Sequence, residues 1–269
     1  MLELTQDPSA QLSTFTLIIL SSLFGLIIGS FISMLSWRLP RIMMQDGAEQ
    51  FKQISMGGSK CPKCETELPW YRLFPLFSWL ASRGKCHHCQ VKISPRYPLI
   101  ELTTAIATGL VIWQFGLSAQ GYLALAFIWI LITLSVIDIE HQLILDNLSL
   151  PLLWLGLLVN TQGIFTSPTD AIWGAAIGYL LLWLVFHAFK LITGKEGMGY
   201  GDFKLLAALG AWFGFIALPQ IILIAALSSI VISVLGMALK LRTLNAPMAF
   251  GPFLAIGGVI TLFFGPQVF

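Results

Sequence analysis

The sequence predicts an all-α polytopic membrane protein of about eight transmembrane helices with one small polar loop domain. Composition, hydropathy and the length of the apolar runs carry that prediction. Of the 269 residues, 57% are hydrophobic and only 10% charged, and the mean hydropathy is +0.83. A soluble domain carries roughly 45–50% apolar and about 25% charged residues, so this chain has too little polar surface to face water, and lipid must solvate much of it. Disordered chains are poor in the aromatic and branched residues abundant here. Barrel strands alternate in polarity, whereas these apolar runs are continuous and long enough for helices.

A window of about twenty residues places the spans near 15–37, 98–117, 121–139, 148–166, 170–192, 203–217, 219–239 and 248–266. The first is read as a retained helix and not a signal peptide. Met1 to Ser13 has no basic segment, carries Glu3 and Asp7, and lacks a small-residue cleavage site. The second and third are separated by a short link at 118–120. The fourth starts after Asp146-Asn147 and the fifth after Pro168, so Asp146 and Asp170 are candidate N-caps. The sixth follows Gly197-Met-Gly-Tyr-Gly201 and is short, ending before Pro219. The seventh and eighth complete the set around a polar link at 240–247.

The net charge of +2 is unevenly spread. Between Arg38 and Arg96 lie ten Lys and Arg against four Asp and Glu, a net +6, and the remainder carries −4. With the loop 38–97 inside, alternation puts 140–147, 193–202 and 240–247 inside as well. All fifteen basic residues then fall on that side, with Lys190, Lys195, Lys204, Lys240 and Arg242 in the later segments. This is the positive-inside pattern, with both termini outward, and it argues against nucleic-acid binding. The chain divides by composition into an N-terminal transmembrane helix (1–37), a cytoplasmic loop domain (38–97) and a membrane domain of about seven helices (98–269).

That loop holds all four cysteines, Cys61-Pro-Lys-Cys64 and Cys86-His-His-Cys89, with 21 residues between the pairs. Two CxxC knuckles can fill the four positions of a tetrahedral Zn²⁺. On the reducing side of the membrane structural disulfides are disfavoured, and a closed four-sulfur site would be structural. A pair of redox dithiols is the alternative. A loop of this size is too small to rely on its own core.

Acids in the membrane part are few, and each one is costly to keep there. Glu101 lies in the second span and could pair with Arg96; Glu196 sits in a polar link and reads as solvated. Asp138 and Asp202 are different: Asp138 has no helix to cap, and Asp202 begins the sixth span. Asp138 ends an apolar run, and Asp202 follows three alternating glycines that let backbone approach closely or turn sharply. Both lie on the inner side, 64 positions apart. Two carboxylates brought together share one proton, so that one activates water while the other donates to a carbonyl oxygen and later to the leaving amine. Glu140 and His141 are rival acids or bases. A transporter relaying protons through midplane acids and an assembly factor docking through the loop are the alternative readings.

Several motifs in order point further. They are Gly29-Ser-Phe-Ile-Ser-Met-Leu-Ser-Trp-Arg-Leu-Pro40, the two CxxC pairs, Ile93-Ser-Pro-Arg-Tyr-Pro98 with Glu101, Asp138-Ile-Glu-His141, Gly199-Tyr-Gly-Asp-Phe-Lys-Leu-Leu206 and Phe250-Gly-Pro-Phe-Leu-Ala-Ile256. In these the chain resembles the bacterial type IV prepilin peptidases, GxGD-type membrane aspartyl proteases also called leader peptidase/N-methyltransferases. One departure stands out: Ile32-Ser33 occupy the last two places of the usual Gly-Ser-Phe-Leu-Asn. The resemblance implies Asp138 and Asp202 as the catalytic aspartates and zinc on Cys61, Cys64, Cys86 and Cys89. It also implies a multi-pass protein of the bacterial inner membrane, with site and loop facing the cytoplasm. Its implied substrates are type IV prepilins and type II secretion pseudopilins, which lose a short basic leader after a glycine. Methylation of the new N-terminus from S-adenosylmethionine is implied next, although no methyltransferase pattern is found in the residues.

Overall fold

A computed structural model of the chain describes residues 8–43, 61, 63–67, 74–195, 197–239 and 248–266. Of the charged residues counted above, Glu3, Asp7, Asp46, Glu49, Lys52, Lys60, Arg72, Glu196, Lys240 and Arg242 lie outside them. The described chain is helical apart from turns and one isolated bridge, Lys85 to Lys92. It forms two compact units, Met1–Leu125 and Ala126–Phe269.

In the first unit, α1 (Pro8–Met43) packs along α3 (Arg96–Phe115), with α2 (Phe77–Ala81) in the segment between them. The α1–α3 crossing is lined with small residues. Gly25 lies against Thr108 and Ala105, and Gly29 against Glu101, the arrangement by which helices approach closely in lipid. Their outer faces stay apolar and exposed at Phe15, Leu20, Phe24, Ile106 and Trp113. α1 runs past its expected end at 37 and contains Pro40 in its last turn. Arg41 extends the helix locally, its guanidinium 3.2 Å from the Trp37 ring centroid and donating to Trp37 O. The short α2 was not anticipated.

The second unit contains most of α4 (Ala119–His141), then α5 (Asp146–Asn160), α6 (Pro168–Thr193) and α7 (Tyr200–Phe213). A 3₁₀ turn (Phe215–Ala217), α8 (Leu218–Ala238) and α9 (Gly251–Phe264) follow. α7 is the core: eleven of its fourteen residues are buried, and α5, α6 and α9 pack on it. A helix apolar on all sides belongs in such a position. α5 is locked to the C-terminal end of α7 by polar bonds. Trp212 Nε1 donates to Leu152 O at 2.8 Å, and Asn160 Nδ2 donates to the carbonyls of Ala211 and Trp212 at 2.8 and 2.9 Å. Asn160 Oδ1 accepts the N–H groups of Phe165 and Thr166. α6 meets α7 backbone to backbone: a Cβ on Gly174 would run into Gly210 O, and one on Gly210 into Gly174 O.

Each expected span has its helix, but among the described residues only five are long and apolar enough to cross a membrane. α5, α7 and α9 have 15, 14 and 14 residues, short of the roughly twenty of a full crossing. Two capping expectations are corrected. The N-cap of α6 is Ser167, whose Oγ accepts the Asp170 N–H at 3.1 Å and donates to Asp170 Oδ2 at 2.7 Å. Asp170 is thus the third helical residue, bound to the capping serine's hydroxyl through both its N–H and its carboxylate. Asp146 is the first residue of α5 and caps nothing; Leu145 holds the cap position.

Candidate active site

Asp138 lies in the last turn of α4 and Asp202 in the first turn of α7. Both are buried, at 5% and 7% exposure, although each belongs to a type rarely buried without partners. The fold brings them within electrostatic reach of each other. Asp138 Oδ2 accepts the backbone N–H of Gly251, the first residue of α9, at 2.9 Å. A Cβ at position 251 would lie 2.7 Å from that oxygen, so only glycine lets the helix start close over the carboxylate. Asp202 is held from its own backbone, its N–H donating to Gly199 O at 3.3 Å, while its Oδ1 is buried with no partner among the described residues.

One side chain touches the supports of both acids. Ile144, in the link after α4, is 8% exposed. Its Cβ would lie 2.6 Å from a Cβ on Gly201, beside Asp202, and its Cδ1 3.0 Å from one on Gly251. Of the glycine run before Asp202, Gly201 therefore serves close approach, whereas a Cβ on Gly199 would meet nothing nearer than 3.9 Å. None of Gly197, Gly199 and Gly201 has positive φ, so the sharp turn is not what they provide.

The other acids are placed apart from this pair. Asp146 binds Lys204 Nζ with both oxygens at 2.7 Å, a half-exposed ion pair between the starts of α5 and α7. Glu140 is exposed. His141 keeps a buried Nε2 with no partner among the described residues. Glu101, in the first unit, accepts the Leu76 N–H at 2.7 Å. Arg96, the partner expected for it, donates to Ser33 O at 3.2 Å and Ser36 Oγ at 2.7 Å. Ile32 and Ser33, the two departures from the family motif, are both buried on α1. Gly251, Ile144 and Lys204 were not singled out from sequence. The proline next to Gly251, following the polar link at 240–247, is a helix-start signal that would have drawn attention to that glycine.

The four cysteines of the first unit converge. Their Sγ atoms all lie within 4.8 Å of one another, with Cys61 to Cys89 at 3.7 Å and Cys64 to Cys86 at 4.0 Å. A tetrahedral site with Zn–S near 2.3 Å has edges of about 3.8 Å, so this donor set fits a metal ion. The Thr66 hydroxyl beside Cys64 holds its thiol down at about 6, toward the thiolate a metal requires.

Comparison with known proteins follows the same two-part division. The bacterial peptidase A24 N-terminal domain matches residues 23–115, and the type IV leader peptidase family matches 125–237. A prepilin leader peptidase/N-methyltransferase of Stutzerimonas stutzeri is 44% identical over 258 residues, covering 91% of this chain and 89% of the relative. Proteins of the same description from Pseudomonas aeruginosa and Pectobacterium carotovorum are each 45% identical. They cover 91% and 87% of this chain and 90% and 88% of their own lengths. No solved structure matches the chain. With both regions matched in order and relatives alike along nearly their whole length, the chain belongs to the type IV leader peptidase family.

Proposed function

We propose that this chain is a membrane aspartyl endopeptidase that removes the short basic leader from type IV prepilins and pseudopilins, and then N-methylates the new terminus. The observation that carries the first activity is the pair of buried carboxylates, Asp138 and Asp202, 64 positions apart in sequence yet linked through Ile144, which lies against Gly201 beside one and Gly251 above the other. With one proton shared between them, the ionised partner takes a proton from water as the water's oxygen attacks the scissile carbonyl carbon. The protonated partner donates to the carbonyl oxygen. As the intermediate collapses, the C–N bond breaks and the amine leaves protonated. Gly251 N–H fixes Asp138, and the Gly199 carbonyl with the Ile144–Gly201 contact fixes Asp202. Positioning of this kind supplies much of the rate.

Cys61, Cys64, Cys86 and Cys89 would hold a structural zinc, cross-linking the ends of the loop without chemistry of its own. In the second activity S-adenosylmethionine supplies an electrophilic methyl group to the new amine, and no residue of this chain is assigned to that step. The basic loop argues for the cytoplasmic face of the bacterial inner membrane, with both termini outward. In this reading 1–37 anchors, 38–97 is the zinc domain and 98–269 carries the catalysis, and lipid surrounds the outer helix faces.

The test is cleavage of a purified prepilin by single Asp138→Asn and Asp202→Asn variants and by the double variant, scored by mass. Each single change is expected to cost nearly as much as both together, because the pair acts as a unit. The wild-type pH–rate profile should be bell-shaped, with limbs belonging to the pair. Near-normal turnover by either single variant would overturn the assignment.

A further inference from the structure

We infer that α2 is a membrane-surface anchor, inserting its outer face among the lipids so that the cysteine loop lies against the bilayer. The helix has two unlike faces. On the inner one, the Trp79 ring packs on Gly84 and its Nε1 donates to Ile93 O at 3.3 Å. On the outer one, Phe77 and Leu80 are each 56% exposed, and Phe74, in the turn before the helix, is 57% exposed. Nothing among the described residues covers them. Three large apolar side chains in a row, each more than half bare, are costly in water and favourable in a bilayer.

The depth of the segment comes from a single hydrogen bond. Leu76, immediately before α2, donates its N–H to the Glu101 carboxylate at 2.7 Å. Glu101 lies five residues inside α3 from Arg96, about 7.5 Å along the axis. Glu101 itself is buried on the side facing α1, on a helix long and apolar enough to cross a membrane, whose other face exposes Leu99, Leu102 and Ile106. Leu76 is therefore tied to a side chain in the second turn of a helix that crosses the membrane. A tie that close to the start of a spanning helix holds α2 in the interfacial layer, where a surface helix buries its apolar face to about 5–10 Å. Beyond α2 the chain turns polar, with Arg83, Lys85 and Lys92 exposed. Apolar side chains followed by exposed cations fit a leaflet containing anionic lipid, its tails taking the rings and its headgroups the charges. The inference rests on α3 crossing the membrane.

A spin-labelled unnatural amino acid installed at Phe77, and separately at Leu80, tests this without adding a fifth cysteine. The full chain would be reconstituted in nanodiscs containing anionic phospholipid. Collision with oxygen reports lipid, and collision with a neutral nickel chelate reports water. Labels at Ile106 and Glu65 provide the lipid and water references. At 77 and 80 the oxygen-to-chelate ratio should stand several-fold above that at 65 and approach that at 106. A ratio at 77 and 80 equal to that at 65 would overturn the inference. So would low collision with both reagents, which would mean that protein, such as a second copy of the chain, covers the face. A water-like ratio at 106 would instead remove the membrane crossing beneath it.

Discussion

Replacing Gly251 by alanine should impair leader cleavage while leaving the protein folded. The added Cβ would lie 2.7 Å from Asp138 Oδ2 and 3.0 Å from Ile144 Cδ1. To reach ordinary contact near 3.4 Å the carboxylate must retreat by about 0.7 Å, stretching its 2.9 Å bond from the Gly251 N–H beyond hydrogen-bond range. A bond to a charged group contributes about 1.5–3 kcal/mol. If that contribution is lost from the transition state, kcat falls roughly ten- to a hundredfold. Initial rates over a range of prepilin concentrations, with leader loss read by mass, separate kcat from KM; thermal unfolding in detergent checks the fold. KM should change little, because the displaced group acts on the reacting bond. A double variant, Ile144→Val with Gly251→Ala, separates the two crowded neighbours: it removes the Cδ1 obstruction and leaves the carboxylate one. It should stay slow. Wild-type kcat in Gly251→Ala, or full recovery in the double variant, would refute the claim that this glycine positions Asp138.

Three further expectations concern other parts of the molecule. Asp146→Asn and Lys204→Met should each keep cleavage within about fivefold of wild type, because a half-exposed ion pair is worth at most about 1 kcal/mol; inactivity of the Asn variant would make Asp146 a catalytic contender. Asn160→Leu should lower stability by roughly 3 kcal/mol or more, seen as a reduced unfolding temperature, since it unpairs the Ala211 and Trp212 carbonyls and the Phe165 and Thr166 N–H groups. Cys86→Ser should reduce bound zinc from one per chain to near none by elemental analysis under reducing conditions. Equal metal in wild type and variant would exclude the four-sulfur site.

The helices were legible because lipid imposes a simple rule: a run of about twenty apolar residues must satisfy its own backbone. What the rule cannot separate is a helix that faces lipid from one that faces only protein. α7 reads as a short span, yet its burial among α5, α6 and α9 is what its all-round apolar surface signified. The capping of α6 was misread by three residues because serine and aspartate both suit a cap, and the reciprocal bond between Ser167 and Asp170 uses both. At the site, Asp138 and Asp202 stood out because an acid in an apolar run needs a reason. Their supports did not, since a backbone N–H and an isoleucine carry no chemical label. α2 escaped notice for a different reason: five residues are too few to show a period.

The contact between Gly174 and Gly210 limits how this family of sites can diversify. It contains no side chain, so it has no size, shape or charge for drift to adjust. Any residue larger than glycine at either position separates α6 from α7, the helix whose first turn carries Asp202. The geometry around Asp202 is therefore inherited as one unit, kept or lost whole. Ile144, by contrast, can be lengthened, shortened or rebranched by single substitutions. Adaptation of the site to new substrates should accumulate on the Ile144 side, against an α6–α7 crossing that has nothing left to vary.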